Sequence, residues 1–189
     1  MALSAVDIAS RALNRLGAAS INGFDDGSSE AALAGALYST ARDALLSAHP
    51  WSFATSQTAL GLLVEEPSAD FSHAFQLPAD FLRALSAGQG GRGRGLRYRI
   101  TGQQLHSDAE ELTLTYIFRA DEAAIPPFFD QALIARLAAE LCIPITESSS
   151  RADLMFRLAE DEFRRAKSID AQQDTPQRFE DFSLIEARR

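Results

Sequence analysis

The chain has one cysteine, one lysine and one tryptophan among 189 residues, and three histidines. A single cysteine, Cys142, excludes an intramolecular disulfide framework and any multi-cysteine zinc site, and its place near the apolar face of a predicted helix marks a small core residue rather than a nucleophile. With Lys167 alone, every other cation is arginine, the side chain suited to planar, paired contacts. No stretch approaches the ~18 uninterrupted apolar residues of a membrane span, and the start MALSAVDIASRALNRLG lacks the basic region and apolar run of an export signal. A soluble, unexported chain is expected.

What is present is a globular balance, 46% hydrophobic and 23% charged, with a net charge of -8. An acidic surface opposes tight sequence-independent DNA binding through counterion release. The acidity is spread along the chain, whereas four of the five arginines between residues 51 and 118 crowd together: Arg92, Arg94, Arg97 and Arg99. Five glycines lie between Gly88 and Gly95, so an exposed, mobile, positive loop is expected there. No GK[ST] follows, so a phosphate-binding P-loop is not indicated.

Hydrophobic periodicity divides the chain. Ser4 with Asp7 reads as a capping box for a helix to about Leu16. Ser28 and Ser29 cap a second, with Leu33, Leu37, Ala41, Leu45 and Ala48 on one stripe until His49-Pro50. From Trp51 the pattern turns to short strands, with Pro78 to Leu82 a single helical turn. Tyr98 to Thr101 and Gln104 to Ser107 flank a Gly102-Gln103 hairpin turn, and Leu112 to Phe118 alternates as a strand with one buried face. The middle third reads as an antiparallel meander. Phe129, Leu133, Leu137 and Leu141 mark a third helix, expected to stop at Pro144. Ser148 to Ser150 open a fourth, with Ala152, Met155, Phe156, Ala159, Phe163 and Ala166 as its stripe and Glu162 near the middle. An unpaired carboxylate there is costly, so Glu162 is expected to form a buried or interface ion pair with an arginine.

The expected fold class is α+β: a four-helix-type bundle (1-50 plus 119-173), an inserted antiparallel β-region (51-118) and an extended C-terminal arm (174-189). The arm carries Phe179, Phe182, Leu184 and Ile185 among charges, and is expected to order on a partner.

Catalytic constellations do not assemble. His49, His73 and His106 fall on different elements, none with a second ligand-type residue at metal spacing. The acids of Asp25 to Glu30 lack calcium-loop spacing. Adjacent Glu65-Glu66 and Glu110-Glu111 are no dyad. No cofactor, metal or catalytic residue is assigned, and a structural role is expected rather than an enzymatic one.

Several stretches carry a resemblance: ALNRLGAASINGFDDGSSEA at 12 to 31, ARDALLSAHPWSFAT at 41 to 55, AFQLPADFLRAL at 74 to 85, YRITGQQLHSD at 98 to 108, and ALIARLAAELCIPITESSSRADLMFRLAEDEFRRAKSIDAQQ at 132 to 173. In this order and spacing they resemble the tail tubular protein A family of phage head-to-tail adaptors. The resemblance implies a structural connector subunit in a dodecameric, homo-oligomeric ring in the virion neck. Such a ring has a portal protein above, a tail or nozzle protein below and DNA passing transiently through its channel; it is assembled in the host cytoplasm without membrane. The alternative is a nucleic-acid-contacting accessory protein using the basic glycine-rich loop.

Overall fold

The computed structural model describes residues 2-173. It is mixed α+β, with four α-helices and two small antiparallel sheets. Helix α1 (Ala5–Arg15) starts on the expected capping box: the Asp7 N–H donates to Ser4 Oγ at 3.1 Å and the Ser4 N–H to Asp7 Oδ2 at 3.0 Å. Helix α2 (Ser29–Ser47) is capped by Ser28, whose hydroxyl accepts from the Ala31 N–H. Helix α4 (Ser149–Asp170) is capped in the same way by Ser148.

Helix α3 (Pro127–Thr146) opens with proline at its first position, where no intrahelical N–H bond is lost. It runs through Pro144 rather than stopping there. The proline removes one backbone bond only a turn from the helix end. Thr146 Oγ1 donates to the Cys142 carbonyl at 2.6 Å across that turn, and Glu147 ends the helix in a left-handed conformation. Apolar residues surround α3 on most sides, and a helix of that kind belongs in the interior. It packs against α1, α2 and α4, and Cys142 lies fully buried in that core.

The β-region is two sheets, not the expected meander. Strands β1 (Thr55–Ala59), β6 (Thr113–Phe118) and β3 (Phe81–Gly88) form one, with β6 central; β2 (His73–Gln76), β5 (Gln104–Ser107) and β4 (Tyr98–Thr101) form the other, with β5 central. Only β4 and β5 are a sequential hairpin, turning at Gly102 with a φ of 58°. The remaining pairings join distant strands, which local alternation does not reveal. Strand β3 replaces the helical turn expected at Pro78 to Leu82. The turn there is a single Phe81 N–H to Pro78 carbonyl bond, after which pairing with β6 takes over, irregular at two points. Half-burial on both faces of β3 erased the alternation that would have announced it.

Strand β6 links two cores. Leu114 and Tyr116 join Phe75, Leu77, Leu105 and Leu112 between the sheets, while Ile117 enters the helical core. The junction is built on Trp51, fully buried, whose Nε1 donates to the Leu45 carbonyl at 3.0 Å. Phe129 stands edge-on to it at 5.1 Å and Phe163 at 5.8 Å. No helix among the described residues is long and apolar enough to cross a membrane.

Candidate functional site

Among the described residues, charge or apolar surface gathers at the arginine loop and in a groove along α4, and two carboxylates are buried.

The loop after β3 is exposed at Arg92 and Arg94, yet it is pinned rather than free. Gly93 lies flat on the first sheet, its carbonyl accepting from Ser86 Oγ at 2.7 Å and Thr115 Oγ1 at 3.0 Å. A Cβ on Gly93 would come within 2.5 Å of Gln57 and Thr115, and one on Gly88 within 1.9 Å of the Arg92 carbonyl. The glycines therefore permit close approach of backbone to sheet as well as turning. The four arginines separate into two kinds. Arg97 and Arg99 are paired, with Asp108 at 3.4 Å and Asp70 at 2.6 Å, and both guanidinium groups lie over the Phe71 ring. Arg92 and Arg94 form no ion pair among the described residues and flank a polar cleft with Gln57, Ser86 and Thr115.

The groove lies between α2 and α4 with α3 at its edge. Ala44, Leu45 and Ala48 form one wall and Phe156, Ala159, Glu160 and Phe163 the other. Arg136 borders it, bound to Glu140 at 2.6 Å and stacked on Phe156; Lys167 covers the ring of Phe163 at 4.8 Å. Phe156, expected on the buried stripe, is 37% exposed. The far side of α4 exposes Leu154, Leu158 and Ile169.

Glu162 is not the buried carboxylate of α4. Its side chain is 29% exposed and pairs with Arg165 of the same helix at 3.1 Å. Viewed down the axis, the buried line is Ala152, Ala159, Ala166 and Asp170, all within about 20° of Ala159, while Glu162 lies about 60° off it. Asp170 is the interior acid. It accepts from the Ser52 N–H at 3.1 Å and from Ser52 Oγ at 2.7 Å, with His49 Nε2 at 3.6 Å, so it ties the end of α4 to the start of the β-region. Burial lowers the His49 imidazole below its ordinary range, against the pull of Asp170. The serine donates to the carboxylate and not to the histidine, which is not the arrangement that activates a hydroxyl nucleophile.

Asp130, near the start of α3, is 5% exposed and its Oδ1 has no hydrogen-bond partner among the described residues. Burial pushes its carboxyl up to about 6, Arg11 pulling back weakly. Nearby, a polar chain joins α2 to the segment before α3. Glu122 accepts from Arg42 at 2.6 Å and Tyr38 at 3.2 Å, and Arg119 holds Asp43 at 2.7 Å. Burial alone would raise Glu122, but its own backbone N–H, Arg42 and Tyr38 outweigh that and hold it low. Asp130 and Asp170 both escaped sequence reasoning. For Asp170 a signal existed, its place in line with the three alanines; for Asp130 only the packing of α1 and α2 onto α3 makes burial visible.

His73 and His106 lie in β2 and β5, in adjacent registers of one sheet, and the His106 Nε2 lies 3.2 Å from Gln104 Oε1. Among the described residues no group of three or more His, Cys, Asp or Glu side chains converges on a metal position. Phe179, Phe182, Leu184 and Ile185 lie outside the described residues. Compared with known proteins, the chain matches no family model and no curated protein.

Proposed function

We propose that the chain is a structural head-to-tail adaptor subunit. It forms a ring, dodecameric by the family resemblance, between the portal and the tail of a tailed phage or phage-derived particle, with DNA passing through the channel. The observation that carries this reading is the order and spacing of the resembling stretches from residue 12 to residue 173. In the same reading the helices of 1-50 and 119-173 act as one four-helix-type bundle, 51-118 is its inserted β-region, and 174-189 is an arm that docks on the portal or a neighbour.

A closed ring repeats one heterologous contact, so each subunit needs two different, mutually complementary faces. The groove beside Phe156 and Phe163 and the exposed Leu154, Leu158 and Ile169 on the far side of α4 supply chemically suitable faces. The net charge of -8 suits a conduit for DNA, because a wall that bound many phosphates would hold the genome. The test is the mass of the purified chain mixed with its cognate portal ring: a stable portal-bound ring supports the reading, and failure to bind opposes it.

The second reading, a nucleic-acid-contacting accessory protein, is favoured by one observation: Arg92 and Arg94 stand exposed on an anchored loop without acidic partners among the described residues. It requires salt-dependent DNA binding by the isolated chain. Each lost phosphate contact should lower the logarithmic salt slope by about 1 in Arg92→Ala and Arg94→Ala variants.

A further inference from the structure

The cleft beside Arg92 and Arg94 combines positive charge with a fixed frame. Its sheet side is Gln57, Ser86 and Thr115, and among the described residues no carboxylate or aromatic ring lines it. The loop that carries the arginines is tied down at three points. The Arg92 N–H donates to the Gln89 carbonyl at 3.3 Å and the Leu96 N–H to the Ala87 carbonyl at 2.9 Å. Between them the Gly93 carbonyl accepts from the Ser86 and Thr115 hydroxyls. A backbone set in place before a ligand arrives loses little freedom on binding it.

The donors left over define what the cleft can hold. The Ser86 and Thr115 hydroxyl protons are committed to Gly93, and one Gln57 Nε2 proton to Thr115 Oγ1 at 3.1 Å. That leaves the second Gln57 amide proton and the five N–H groups of each guanidinium. Such a set suits an anion rich in acceptor oxygens. Two arginines with no acid in the cleft match the two charges of a terminal phosphate group, whose three free oxygens accept forked arginine contacts. A phosphodiester brings one charge and two free oxygens. An extended polyanion also meets repulsion, because Glu110 and Glu111 border the neighbouring cleft beside Gly90 and Gly91. No ring stands in the arginine cleft for a base to stack on.

We propose that this cleft binds one dianionic phosphate group through Arg92 and Arg94, with Gln57 as a third donor. Free phosphate and the terminal phosphate of a nucleoside monophosphate share the required chemistry. The site stands whether or not the adaptor reading does, and it parts from the nucleic-acid reading in needing no polymer.

The experiment titrates the full-length, isotope-labelled protein at constant ionic strength and about pH 7.5, where a phosphomonoester is a dianion. The probes are inorganic phosphate, thymidine monophosphate and a single-stranded oligothymidine, followed by amide NMR. Phosphate and the nucleotide should each shift the amides of Arg92 to Gly95 and the Gln57 side-chain amide saturably. Equal affinity assigns the site to phosphate alone, and tighter nucleotide binding assigns it to the nucleotide; both support the proposal. Arg92→Gln or Arg94→Gln should weaken binding by about tenfold or more, with resonances elsewhere as in the parent. Arg99→Gln removes the same charge from an arginine already paired with Asp70 and should change affinity by less than about twofold. The absence of a saturable shift with either small probe up to about 10 mM would overturn the proposal. Equal weakening in Arg94→Gln and Arg99→Gln would overturn it too, by reducing the effect to net charge. Shifts with the oligonucleotide alone would overturn it in favour of the nucleic-acid reading.

Discussion

Replacing Asp130 by asparagine removes a charge from an interior site without changing its shape, and the consequence follows from the geometry. The carboxylate is 5% exposed, with one oxygen unpartnered among the described residues, so ionising it places a charge where little water reaches. Moving a carboxyl from 3.8 to about 6 disfavours its charged form by about 3 kcal/mol, at about 1.4 kcal/mol for each tenfold change in proton affinity. The sign is set by linkage. Between those two values the folded protein binds the proton that the unfolded chain has released, so this group's contribution falls as pH rises toward 6 and stays at its low plateau above it. The side-chain amide of Asp130→Asn mimics the protonated acid at every pH. The variant should therefore match the parent near pH 3.5 and be more stable by about 2–3 kcal/mol above pH 7, the lower figure allowing for relaxation around the site. Asp7 and Asp26, held low chiefly by hydrogen bonds from Ser4 and Ser28, and Glu122 act in the opposite direction. The raw pH profile thus mixes signs, and the informative quantity is the difference between parent and variant in urea denaturation at each pH. A difference independent of pH, or a variant less stable at pH 7, would rule out an uncompensated buried charge at Asp130.

Three further outcomes follow from the same interactions. Asp170→Ala should cost about 2–3 kcal/mol in denaturant unfolding, because it leaves the Ser52 N–H and hydroxyl without their acceptor at the junction of α4 and the β-region; a loss below about 0.5 kcal/mol would count against that tie. Glu162→Gln should change stability by less than about 0.5 kcal/mol, since its Arg165 partner is solvent-exposed, and its thermal midpoint should move little. Gly88→Ala should cost about 1–3 kcal/mol, because its methyl group collides with the Arg92 carbonyl and pushes the arginine loop off β3, read as a lowered unfolding midpoint.

Local chemistry made the helices legible. Ser4, Ser28 and Ser148 each cap the helix predicted from them, because capping depends on a few neighbouring atoms that sequence spacing specifies. The hairpin at Gly102 was readable for the same reason. What failed was set by distant partners. Strand β3 looked like a turn because its exposure does not alternate, and the division into two sheets depends on β6 pairing with β1 and β3 from the far end of the region. At the candidate sites, clustering of arginines was visible but their separation into a paired couple and an unpaired couple was not, since Asp70, Phe71 and Asp108 reach Arg97 and Arg99 only through the second sheet. The stripe on α4 was located correctly enough to place its alanines but not its buried acid. Met155, about 20° from Glu162 around the helix, drew the expected centre toward it, whereas the small residues Ala152, Ala159 and Ala166 mark the line of closest packing.

The adaptor reading is tested most directly by imaging the full-length chain bound to its cognate portal and counting subunits by rotational symmetry. The expected image is a closed, twelvefold ring seated on the portal, open along its axis, with neighbouring copies meeting head to tail. A chain that leaves the portal bare, or binds as isolated copies without lateral contact, would contradict it.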